Sequence, residues 1–172
     1  RELLDRIHRT AGGLQARGFG PGDVLGVMSP NSPDYAVAFH AAAVAGGTAT
    51  TINPVYGPEE ITFQLRDAGA RLLVTAPAGL EHAQNAAAEA GISELFVFGD
   101  WPVESFDALA GAEPIDQVPV GPHDTVVLPY SSGTTGLPKG VMLTHRNCAG
   151  NIAQTCAMFP FEEHDVIIAV LP

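Results

Sequence analysis

Apolar residues near the start of the chain recur at helical spacing. Leu3, Leu4, Ile7, Ala11 and Leu14 fall on one face, which predicts a helix over 2–17, stopped by Gly18. The turn GFGPGD at 18–23 follows. VLGVMSP (24–30) is a continuous apolar run and reads as a short buried strand. In the next segment Asn31 or Ser32 can cap a helix, Pro33 suits its first turn, and Gly46 and Gly47 end it. TATTIN (48–53) is a strand closed by Pro54, and a helix over 59–68 leaves at Gly69. ARLLVTA is a strand, 79–90 a helix, and ELFVFGD (94–100) another strand. Strand and helix alternate throughout, which is the pattern of an α/β fold: a mostly parallel sheet flanked by helices.

The pattern changes at 101–123, which holds four prolines and few apolar pairs. It reads as a loose crossover with one short helix near 105–109. DTVVLPY (124–130) is then a strand that runs straight into the next loop, and GVMLTH (140–145) is a second short strand. Thr144 is an N-cap for a helix over 146–158, and DVIIAVLP (165–172) is a last strand. One domain over 1–172 is expected, in three parts: 1–100, 101–123 and 124–172.

Composition narrows the function classes. No apolar run approaches the roughly 20 residues that span a bilayer. The formal charge of −11 argues against a general nucleic-acid or anionic-membrane surface. Cys148 and Cys156 match no zinc pattern and no CxxC pair, so free thiols in a reducing, cytoplasmic setting are expected. The chain starts at Arg1 and stops inside an apolar run, so the expectation is a piece of a longer protein.

The chemistry concentrates in SSGTTGLPKG (131–140). Gly133, Gly136 and Gly140 let backbone amides approach a ligand closely. Ser131, Ser132, Thr134 and Thr135 add hydroxyls, and Lys139 adds a mobile positive charge. Amides, hydroxyls and one lysine make a phosphate cradle. The competing reading is a flexible surface linker. Flanking apolar strands and a lone lysine in an otherwise uncharged run favour phosphate. The order of residues is not that of a Walker A loop, because Lys139 follows Pro138 and precedes Gly140. The Gly-x-Gly at 18–20 precedes a strand, where a dinucleotide fingerprint would follow one. The segment 130–161 carries Lys139, His145 and Arg146 and no Asp or Glu, so an anion there meets local positive charge despite the negative total.

YSSGTTGLPKGVMLTHRN resembles the phosphate-binding signature of the adenylate-forming enzymes, the superfamily of acyl-CoA synthetases, peptide adenylation domains and firefly luciferase. Upstream, PNSP, TTINPVY and EEI…QLRDAGARLLVT are similar to 4-coumarate–CoA ligases. The resemblance implies part of the large N-terminal region of such a fold. It implies an enzyme that forms an acyl-adenylate from a small carboxylic acid and ATP with Mg²⁺, then a thioester with coenzyme A. Carried over by motif position, Ser131, Ser132, Gly133, Thr134, Thr135 and Lys139 would contact ATP, and no catalytic acid, base or metal ligand is placed in this stretch. The acyl pocket and the C-terminal catalytic lysine would lie beyond it, so this stretch by itself is not expected to be active. Three alternatives stay open: a non-catalytic nucleotide-binding module, a fatty-acyl-CoA ligase and an amino-acid adenylation enzyme. Surfaces exposed by truncation are expected to favour pairing of two copies.

Overall fold

The computed structural model describes residues 1–131 and 138–166. The helices are α1 (Glu2–Ala16), α2 (Pro33–Val44), α3 (Pro58–Asp67), α4 (Leu80–Ala90) and α5 (His145–Met158). The strands are β1 (Val24–Met28), β2 (Thr48–Ile52), β3 (Ala70–Thr75), β4 (Glu94–Val97), β5 (Thr125–Val127), β6 (Tyr130–Ser131), β7 (Lys139–Gly140) and β8 (Leu143–Thr144). The main sheet runs β4-β3-β1-β2-β5-β8 and is parallel except for β8 at one edge.

Local chemistry sets the helix ends. Ser32 caps α2, its hydroxyl accepting from the Tyr35 amide at 3.1 Å, with Pro33 in the first turn. Gly18 closes α1 at φ +75°, a conformation that suits glycine. The Glu60 carboxylate accepts from the Gly57 amide at 3.0 Å, so the acidic pair at 59–60 serves the helix start.

β1 is buried along its whole length, as a central strand covered on both faces must be. Leu25 and Val27 join Leu14, Phe19, Val37, Phe96 and Phe106 in one core layer with α1 and α2. Met28 joins Ile52, Ile61, Leu65 and Leu73 in the other, with α3 and α4. Gly26 faces this second layer. A Cβ there would sit 3.0 Å from Leu65 Cδ2 and Leu73 Cδ1, so the missing side chain lets α3 lie close.

Four expectations need correction. The strand over 124–130 does not run unbroken into the loop: β5 ends at Val127 and β6 belongs to a separate two-stranded sheet. Pro129 lies between them and has no N–H to extend the ladder. The strand over 140–145 likewise splits, because β7 pairs with β6 and β8 crosses back to β5. The short helix in the crossover is a 3₁₀ turn over Phe106–Gly111, capped by Ser105. Of the expected last strand, 165 and 166 are not in a strand and 167–172 lie outside the described residues.

α5 begins with a reciprocal cap. Thr144 Oγ1 accepts from the Asn147 amide at 3.2 Å, and Asn147 Oδ1 accepts from the Thr144 amide at 3.0 Å. The helix leaves Ile152 and Met158 exposed, with Phe159 just beyond it, so uncovered apolar surface is concentrated here.

Candidate functional site

Parallel strands place all their carboxyl ends on one edge, and in open α/β sheets ligands bind outside that edge. β6 follows the carboxyl end of β5 by way of Leu128 and Pro129, and β7 pairs beside it. β6 and β7 form a short antiparallel hairpin with Tyr130 opposite Gly140 and Ser131 opposite Lys139. Ser131 and Lys139 therefore stand side by side, both exposed, a hydroxyl and an ammonium across one ladder step. The base of the hairpin is fixed by the Val141 amide, which donates to the Pro129 carbonyl at 2.8 Å.

Ser131 and Lys139 are thus brought together across the hairpin. Ser132, Gly133, Thr134 and Thr135, with Gly136 and Leu137, lie outside the described residues. His145 opens α5, its amide donating to the Asp124 carbonyl at 3.0 Å. His40 and His82 are exposed on helices. Asn53 makes a local turn, Oδ1 accepting from the Val55 amide at 3.2 Å.

The fold adds one residue that local reading missed. Asp67, the last residue of α3, accepts a 2.6 Å hydrogen bond from the Tyr130 phenol. The stretch 130–161 holds no acid in sequence, yet tertiary structure brings one to its first residue. Burial, with the Asp67 hydrogen bond and charge, pushes the Tyr130 phenol well above its usual value of 10.0. No sequence signal could have found this pair, because the partners are 63 residues apart.

A cavity of about 530 Å³ opens at the same carboxyl edge, between the ends of β1 and β2. Its lining includes Ser29, Asn31, Tyr35, Thr51, Asn53 and Val55. Among the described residues no group of three or more His, Cys, Asp or Glu could hold a metal ion, and no helix is long and apolar enough to cross a membrane.

The model of the AMP-binding enzyme family matches residues 1–172. A 4-coumarate–CoA ligase 3 from Oryza sativa subsp. japonica is 44% identical over 177 residues, spanning 99% of this chain and 32% of that protein. An ATP-bound structure of MatB from Rhodopseudomonas palustris superposes with TM-score 0.88 at 31% identity, over 99% of this chain and 34% of the other. A long-chain-fatty-acid–CoA ligase from Archaeoglobus fulgidus gives TM-score 0.88 at 32% identity, over 95% and 33%. The chain spans about a third of the length of the curated relatives it matches.

Proposed function

The chain belongs to the AMP-binding enzymes, and from that premise we propose that the whole protein is an ATP-dependent carboxylate–CoA ligase of the 4-coumarate–CoA ligase type. The observation that carries the reading is the pairing of Ser131 with Lys139 at the carboxyl edge of the sheet. It stands in a chain whose whole length aligns with such ligases.

In the proposed reaction a carboxylate oxygen of the acid attacks the α-phosphorus of ATP. The bond to the bridging oxygen breaks and pyrophosphate leaves. The sulfur of coenzyme A then attacks the acyl carbon, its proton goes to solvent or a base, and AMP leaves. The proposed work of this chain is electrostatic. Lys139 and the hydroxyls and amides of Ser131, Ser132, Gly133, Thr134 and Thr135 hold the β- and γ-phosphate oxygens. They stabilise charge as it gathers on the leaving pyrophosphate. Mg²⁺ supplies further charge neutralisation as the ATP complex. The acid is proposed to be a phenylpropanoid, on the similarity to the rice ligase, and the setting cytoplasmic, on two free thiols. A fatty acid is the second reading, favoured by the likeness to the Archaeoglobus fulgidus ligase.

The test is carboxylate-dependent ATP–pyrophosphate exchange by the full-length protein, offered 4-coumarate, cinnamate, benzoate and hexanoate. Exchange that needs one acid and falls in Lys139→Ala and Thr134→Ala supports adenylation at this loop. ATP binding without exchange on any acid favours a binding module. Exchange that survives both substitutions removes the loop from the mechanism.

A further inference from the structure

α3 carries two polar residues one turn apart, Gln64 and Asp67, and so on one helix face. Asp67 reaches Tyr130 directly, and Gln64 reaches Leu128 through Thr50 of β2. Gln64 is buried, and its Nε2 donates to Thr50 Oγ1 at 2.9 Å and to the Thr51 carbonyl at 3.0 Å. Thr50 Oγ1 in turn donates to the Leu128 carbonyl at 2.8 Å. Asp67 accepts from Tyr130. Leu128 and Tyr130 flank Pro129, the point where the main sheet gives way to the hairpin. The Tyr130 ring lies against Gly140, where an added Cβ would come within 3.0 Å of Cζ. One side chain therefore covers β7 with its ring and reaches α3 with its hydroxyl.

We propose that the Asp67–Tyr130 hydrogen bond is a positioning latch, which fixes Ser131 and Lys139 relative to α3 and thereby sets the affinity for the phosphates of ATP. The proposal rests on the ATP reading above. An acid beside a polyanion site opposes binding through its charge. Its contribution must then come from what it holds in place. That gives the two partners different signatures. Tyr130→Phe keeps the ring against Gly140 and the charge on Asp67, and loses only the bond. Asp67→Asn removes the charge and keeps an oxygen that can accept from the phenol.

The experiment measures ATP dissociation constants by equilibrium titration of the full-length protein. The same proteins give KM for ATP and for the acid in pyrophosphate exchange. Tyr130→Phe should weaken ATP binding about fivefold, the effect of one lost hydrogen bond, and Asp67→Ala should weaken it less, because it also removes the opposing charge. The KM for the acid should stay unchanged. Asp67→Asn should bind ATP at least as well as wild type, and Tyr130→Phe/Asp67→Ala should be no worse than either single change. Wild-type ATP affinity in Tyr130→Phe and Asp67→Ala overturns the latch, even if both unfold at lower temperature. So does weakening in Asp67→Asn equal to that in Asp67→Ala. A wild-type protein that binds no ATP removes the reading of the loop itself, and the latch with it.

Discussion

Gly13, in the interior of α1, packs on the backbone of Leu109 in the 3₁₀ turn. A Cβ at Gly13 would lie 2.7 Å from Leu109 Cα. A Cβ at Gly12 would run into the carbonyl oxygen of Glu113. Two adjacent glycines in a helix thus mark where the crossover lies flat on α1. Propensity alone would favour alanine at each position by about 1 kcal/mol. The packing reverses that preference. Gly13→Ala should destabilise the protein by about 1–3 kcal/mol, as overpacking does, and thermal unfolding of the full-length protein should start at lower temperature.

Thr50 joins α3 to the end of β5. Thr50→Val keeps the side-chain shape but leaves the Gln64 amide and the Leu128 carbonyl each short of a partner. A loss of about 1–3 kcal/mol is expected. Hydrogen exchange should also quicken at the Leu128 amide, which bonds the Ala49 carbonyl next to Thr50.

Tyr130 gives a pH signature. Its folded phenol ionises above the usual 10.0, first because it is buried and then because Asp67 accepts from it. A raised folded pKa contributes stability that is whole below the unfolded value. That contribution is lost as pH rises toward the folded one. The stability difference between wild type and Tyr130→Phe should therefore be constant from neutral pH to about 10 and shrink above it. In the phenolate absorbance difference between the two proteins, no ionisation should appear at pH 10. A phenol titrating there would show that burial and Asp67 together do not hold it neutral.

Thr144 closes the start of α5. Thr144→Ala removes the acceptor for the Asn147 amide and should cost about 1 kcal/mol of helix stability. Faster amide exchange at Asn147, with exchange in α1 to α4 unchanged, is the expected result.

The regular elements were legible because their signals are local. Ser32 with Pro33 marks a helix start, Gly18 and Gly69 mark stops, and VLGVM is apolar enough to be a central strand. The same reading failed at Pro129. There the apolar run DTVVLPY looks continuous, and the break comes from a missing amide hydrogen together with the separate pairing of β6 and β7. It also took GVMLTH for one strand, whereas its two halves pair with different strands.

The amino-acid sequence by itself determined the α/β class, the helix boundaries and the position of the SSGTTGLPKG segment, since periodicity, caps and glycine spacing act within a few residues. The tertiary structure decided the order β4-β3-β1-β2-β5-β8, which depends on which helix faces can be buried together. It also decided that Asp67 meets Tyr130 and that Gln64 reaches Leu128 through Thr50. These meetings depend on α3 lying over the ends of β2 and β5. No pattern within either segment encodes the distance between them.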